Sequence, residues 1–280
     1  MPPAASTRWP GSTSIASAGT HASRRTPRDR EARPTPSVGV DRDGPSSTGC
    51  EESSRMNRRI EGWPDVARAG VGTVVITIRH VGDPERGREL AAVADAERQK
   101  EGWPGGLLSW SLFVGTDGRA LMAYEQWTDD GALDAALAGP VPYVPGIPGT
   151  EPSAPVRYRV DRVYPGGADG ERAGCLVTPV FDTDGPERQR YFIDELFAMT
   201  RDDTTKDVGQ MPGALSAYFH VSADGTRVFN YAEWTDEEAH LAAVGAPDTA
   251  DSRQRVTGEI PGVRPSAYHR WHLYTALVPS

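Results

Sequence analysis

MPGALSAYFHVSADGTRVFNYAEWTDEEAHLAAV, residues 211–244, reads as strand, tight turn, strand and helix, and the pattern occurs twice. A weaker copy, PGGLLSWSLFVGTDGRALMAYEQWTDDGALDAAL, fills residues 104–137. Both contain Pro-Gly, an apolar strand, Asp-Gly, a second strand ending Tyr-x-x-Trp-Thr-Asp, and a short helix. Self-similarity at this spacing decides the fold before any single motif does.

The flanks repeat as well. Residues 72–79 are β-branched at nearly every position and read as a buried strand. Pro84 suits a first helical turn, where its missing N–H costs nothing, and helical spacing runs on to about Lys100. Residues 102–106, Gly-Trp-Pro-Gly-Gly, break it. In the second unit 174–181 is the matching strand, and a helix opening at Gly185-Pro186 carries Tyr191, Phe192, Leu196, Phe197 and Met199.

The Asp-Gly pairs predict two-residue hairpin turns. Thr128 is the expected cap of one short helix, and Thr235 with Glu238 forms a capping box for the other. Last strands are expected at 156–164 and 268–277, with Tyr158 matching Tyr268.

Each unit is then β-α-β-β-α-β, the order of a ferredoxin-like fold. Its four-stranded sheet carries helices on one face and leaves the other to be buried. Two units in one chain meet that need by packing sheet to sheet, as an internal pseudo-dimer. The expected class is α+β, in three parts: a disordered N-terminal extension at 1–68, repeat 1 at 69–166 and repeat 2 at 167–280.

The extension is rich in Ser, Thr, Pro, Gly and Arg and nearly lacks large apolar groups, so it cannot offset the entropy of ordering its backbone. No apolar stretch follows its Arg cluster, which argues against a secretory signal. Met56 begins a stretch that resembles an ordinary cytosolic start, so the residues before it also read as upstream sequence.

A net charge of −9 is no footprint for nucleic acid. No run of 18 apolar residues exists to span a membrane. Cys50 and Cys175 form neither a disulfide framework nor a CxxC metal site, which favours a reducing, cytoplasmic setting. Arg far outnumbers Lys, as in GC-rich genomes such as those of actinomycetes.

The ADGTRV turn, preceded by Pro-Gly and an SAYFH strand and followed by Asn230-Tyr-Ala-Glu-Trp234, resembles the antibiotic biosynthesis monooxygenase family of dimeric α/β barrels. Relatives include cofactor-free anthrone oxygenases and haem-degrading enzymes. The resemblance implies that Asn230 and Trp234 project into a pocket between sheet and helices, and strand alternation puts both on one face with Ala232. The family's pocket tyrosine, six residues past the Trp, falls on His240.

Repeat 1 keeps Trp127 but has Ala123, Glu125 and Leu133 where repeat 2 has Asn230, Ala232 and His240. Asn230, Trp234 and His240 are therefore the candidate catalytic residues, with repeat 1 degenerate. His220, Tyr218, Phe197, Trp127 and Glu125 are candidate substrate contacts. A Trp at a strand end also serves as plain core, and Glu125, if desolvated, has the raised pKa that suits a general base. No histidine pair has metal-ligand spacing.

The activity implied is oxygenation of an aromatic, quinol-like polyketide by O2 without metal or flavin. The alternatives are a haem-binding protein using His240 or His220 as axial ligand, and a binding module that has lost the chemistry. Further homo-oligomerisation is compatible with each.

Overall fold

The structure is a computed structural model that describes residues 57–151, 154–165, 171–202, 211–245 and 260–280. The disorder expected for 1–56, and Cys50 with it, lies outside the described residues.

The elements follow the repeat. After β1 (Asn57–Arg59), repeat 1 runs β2 (Thr73–His80), α1 (Pro84–Lys100), β3 (Leu107–Gly115), β4 (Ala120–Trp127), α2 (Asp130–Leu137) and β5 (Arg157–Pro165). Repeat 2 runs β6 (Cys175–Thr183), α3 (Pro186–Asp202), β7 (Ala214–Ser222), β8 (Arg227–Trp234), α4 (Glu237–Gly245) and β9 (Val263–Pro279). These are two tandem ferredoxin-like units, as expected.

The two sheets also join edge to edge. Within the units the strand orders are β5-β2-β4-β3 and β9-β6-β8-β7, and the antiparallel pairs β3–β9 and β5–β7 connect them. β9 is long enough to pair with β6 through 263–271 and with β3 through 271–277. The result is a closed eight-stranded barrel, which removes the unpaired edges that two stacked sheets would keep.

The otherwise bare faces become the barrel interior. Val74, Ile76, Phe113, Met122 and Tyr124 of repeat 1 pack there against Leu176, Phe229, Tyr231 and Trp271 of repeat 2. A second core lies under α1 and α2, around Trp110, Trp127 and Leu133. A third lies under α3, around Phe181, Phe192, Phe219 and Trp234.

The shared frame now has a mechanical explanation. Gly106 and Gly213 have φ of 83° and 82° and accept hydrogen bonds from the Thr128 and Thr235 amides. A Cβ on either would lie 2.4 or 2.5 Å from an alanine of the following helix, Ala132 or Ala239. Pro-Gly and Trp-Thr-Asp therefore form one joint in which helix and strand approach too closely for a side chain.

Four expectations need correction. The helix caps are Asp129 and Asp236, whose carboxylates accept from the amides of Ala132 and Ala239; the threonines serve the glycine joint instead. The hairpins are longer than two residues. Gly118 N–H closes on Gly115 C=O across Thr116-Asp117, and only then does the left-handed glycine follow; Gly225 and Ser222 repeat this.

Tyr158 does not correspond to Tyr268. Val74 pairs with Tyr158 and Leu176 with Trp271, so Tyr158 matches Trp271 and Arg157 matches Arg270. Lastly, residues 57–68 belong to the fold. β1 pairs with 277–279, Arg59 meets Asp95 at 2.5 Å, and Trp63 and Val66 pack on the barrel core.

Among the described residues no helix is long and apolar enough to cross a membrane, and no group of three potential metal ligands occurs.

Candidate active site

The eight candidate residues fall into three compartments. Asn230, Trp234, His240 and Phe197 share the layer between the repeat 2 sheet and its helices. Tyr218 and His220 lie inside the barrel. Glu125 and Trp127 lie under the helices of repeat 1.

The repeat 2 layer is built by strand alternation. On β8, Asn230, Ala232 and Trp234 face the helices, while Tyr231 enters the barrel core. Phe192 and Phe197 from α3 and Phe219 from β7 supply an aromatic lining, with Phe197 edge-on to Phe219 at 5.3 Å. Against this lining the Asn230 Oδ1 is buried and has no hydrogen-bond partner among the described residues. Such an acceptor costs free energy until a donor reaches it.

His240 is buried rather than being an exposed helix histidine. Its ring stands edge-on to Trp234 at 4.8 Å, Nε2 is 2.6 Å from the Tyr268 hydroxyl, and Arg270 Nε donates to Nδ1 at 3.1 Å. A guanidinium carries only donors, so Nδ1 must accept and Nε2 keeps the hydrogen that it gives to Tyr268. The Tyr268 O–H then points elsewhere. Arg270 also lies 4.0 Å from Glu237 and 5.5 Å from the Tyr268 ring centre.

Tyr268 and Arg270 are the residues that sequence reasoning missed. Pro179 of β6 pairs with Tyr268, and the register Val177–Ala232 and Val180–Phe229 sets Pro179 opposite Asn230. Asn230, Pro179 and Tyr268 thus form one row across three strands, spanning about 10 Å at ordinary strand spacing. The corrected register explains the oversight. Tyr268 corresponds to Pro155, which precedes β5, so the repeat comparison contained no signal for it.

His220 and Tyr218 do not reach this layer. Alternation on β7 sends Ala217 and Phe219 to the helices and Tyr218 and His220 inward. His220 Nε2 meets the Tyr124 hydroxyl at 2.9 Å and Nδ1 the Tyr218 carbonyl at 3.1 Å. Burial without a charge partner pushes its pKa down to about 4, so it is neutral at physiological pH.

In repeat 1 the corresponding layer is filled by the chain itself. Gly146 N–H donates to Glu125 Oε1 at 2.5 Å, Trp127 Nε1 donates to Glu125 Oε2, and Trp110 Nε1 donates to the Gly146 carbonyl. Gly146 has φ of 101°, and a Cβ there would meet Thr77 at 3.0 Å. Tyr143 stands edge-on to Trp127, and the Arg98 guanidinium lies over its ring at 4.6 Å. Burial raises the pKa of Glu125, the facing Arg98 charge opposes this, and the carboxyl is a latch for the loop rather than a base facing a pocket.

Repeat 2 has Ala232 where that latch stands, so the Glu125–Trp127 contact has no equivalent at Trp234. Both ring nitrogens of His220 and of His240 are hydrogen-bonded within the protein, so either histidine would have to give up one of those bonds to serve as an axial haem ligand. The arrangement offers an amide and an indole N–H against an aromatic layer, with the exposed Tyr268 phenol at the far end of the row.

No family model matches the chain. Over 52 residues, 19% of this chain, the sequence is 46% identical to the tetracenomycin-F1 monooxygenase of Streptomyces glaucescens. The match covers 43% of that curated relative, less than half its length. A solved anthrone oxidase-like protein shares the fold with a TM-score of 0.54, over 73% of this chain and 92% of its own, at 19% identity. A Streptomyces coelicolor monooxygenase in complex with nanaomycin D is 28% identical, over 39% of this chain and 88% of its own, with a TM-score of 0.30.

Proposed function

We propose that this chain, which belongs to the antibiotic biosynthesis monooxygenase family, oxidises an electron-rich aromatic polyketide of the anthrone or quinol type with O2, using neither metal nor flavin. The observation that carries the reading is the Asn230 Oδ1, buried in an aromatic layer without a partner among the described residues. It is an acceptor placed to receive a phenolic hydroxyl.

The residues divide the work as follows. Asn230 accepts the substrate hydroxyl, and Trp234 donates to the oxygen where charge develops. The Nε2–H of His240 and the neighbouring Arg270 cation stabilise negative charge on the Tyr268 oxygen, which makes that phenol the acid–base group.

Tyr268 first releases its O–H proton to solvent; the phenolate takes a proton from the activated CH2, and the resulting carbanion gives one electron to O2. Recombination of the radical pair forms the C–O bond, and Tyr268 returns its proton to the peroxide. Loss of the second C–H proton and of hydroxide from the peroxide leaves C=O, and Tyr268 relays that proton to the hydroxide as water. One CH2 and one O2 become one carbonyl and one water. The aromatic lining supports this by holding a planar substrate.

Oxygen uptake with an anthrone, in the presence of a chelator, tests the reading. Turnover that needs Asn230 and Trp234 supports it. Tight binding of the anthrone with no uptake would make the chain a binding module instead.

A further inference from the structure

Repeat 1 reaches the repeat 2 site through its hairpin. The β3–β4 turn lies against the start of α4: Thr116 N–H donates to the Arg270 carbonyl at 3.0 Å, and Thr116 Oγ1 donates to Glu237 Oε1 at 3.1 Å. Glu237 faces Arg270, Arg270 holds His240 Nδ1, and His240 Nε2 holds Tyr268. The hydrogen bonds and the ion pair form one continuous chain from a repeat 1 turn to the phenol of the proposed site.

The symmetry-related place lacks this chain. Ala223, the counterpart of Thr116, keeps the backbone bond to the Arg157 carbonyl at 2.9 Å but has no hydroxyl. Asp130, the counterpart of Glu237, takes its hydroxyl from Thr73 of its own repeat, and Leu133 replaces the histidine. Arginine facing a carboxylate at the helix start is thus common to both repeats, and the cross-repeat hydroxyl belongs to the repeat 2 site alone.

We propose that Thr116 and Glu237 are positioning residues for the site: through Arg270 they fix His240 in the tautomer that presents Nε2–H to Tyr268. Repeat 1, whose own helix-side layer is filled, supplies the outer anchor of its neighbour's proton chemistry. The catalytic consequence rests on the oxygenase reading above; the tautomer does not.

The test is the imidazole 15N spectrum of the full chain, with His240 assigned by comparison with His240→Gln. The wild-type ring is expected to carry hydrogen on Nε2 and none on Nδ1 at neutral pH. Thr116→Val is expected to give a mixture of both tautomers and to lower anthrone turnover about ten-fold without changing KM, on the scale of one lost charge-assisted hydrogen bond. Thr116→Ser restores both. Glu237→Gln serves as a second variant with the same expected spectrum should Thr116→Val fold poorly.

A wild-type His240 with hydrogen on Nδ1 overturns the proposal, as does a folded Thr116→Val protein with unchanged spectrum and turnover. A tautomer that responds to Thr116 in a protein without oxygen uptake would sustain the proposal and sink the oxygenase reading.

Discussion

Tyr124 and Tyr231, the same residue of the two repeats, meet ring to ring at 5.3 Å inside the barrel, yet among the described residues only the Tyr124 hydroxyl of the two has a partner. His220 takes the Tyr124 hydroxyl, while at the symmetry-related place Tyr231 faces Phe113 edge-on at 6.1 Å. One substitution should therefore have opposite effects at the two positions. Tyr124→Phe removes a satisfied bond and is expected to cost about 1 kcal/mol, whereas Tyr231→Phe removes a buried orphan and is expected to stabilise by about 1 kcal/mol. Urea unfolding of both variants measures the sign directly.

His220 makes stability pH-dependent. Its folded pKa of about 4 lies below the ordinary 6.5, so the unfolded chain binds the extra proton between those values. Stability from this group is complete above about pH 6.5 and is lost as pH falls toward 4, on the order of 3 kcal/mol in all. His220→Gln, which keeps a polar partner for Tyr124, is expected to flatten that slope in unfolding free energies measured between pH 7 and 4.

Glu125 tests the assignment of repeat 1 as scaffold. Its two oxygens accept from Gly146 N–H and Trp127 Nε1–H. In Glu125→Gln one of those donors must face an NH2 whichever way the amide turns, which is expected to destabilise the fold by about 1–3 kcal/mol. Oxygen uptake by the folded variant is expected to match wild type. A loss of uptake with unchanged stability would return Glu125 to the chemistry.

The sequence carried the architecture because the Pro-Gly, Asp-Gly and Trp-Thr-Asp elements are local and occur twice. It also singled out Asn230 and His240, which differ from their repeat 1 counterparts Ala123 and Leu133 against a frame that keeps the tryptophan. Tyr268 was illegible for a geometric reason: β9 begins several residues ahead of the strand portion that β5 reproduces, and a match built on tyrosines slid the register by three. His220 was misplaced because β7 alternates, and a histidine two residues from another candidate says nothing about which face is the pocket. The filling of repeat 1 by its own loop depends on Gly146 reaching Glu125 across 21 residues, a contact no local pattern encodes.

Tyr268 carries the proposed proton transfers, so Tyr268→Phe is expected to lower turnover at least a hundred-fold, the lower end for acid–base groups. KM should change little, since the ring and its place in the row remain. Stopped-flow absorbance of an anthrone measures both.

The central claim is that chemistry belongs to the helix-side layer of repeat 2 and not to its twin, and oxygen uptake with an anthrone across three folded variants tests it most directly. Trp234→Phe is expected to lose about a hundred-fold in rate, the scale for removing one donor from a developing oxyanion, and Asn230→Ala, which loses the acceptor that orients the substrate hydroxyl, is expected to lose about as much. Trp127→Phe, the same change in repeat 1, is expected to turn over at the wild-type rate. Wild-type rates in Asn230→Ala and Trp234→Phe, or a selective loss in Trp127→Phe, would contradict the account.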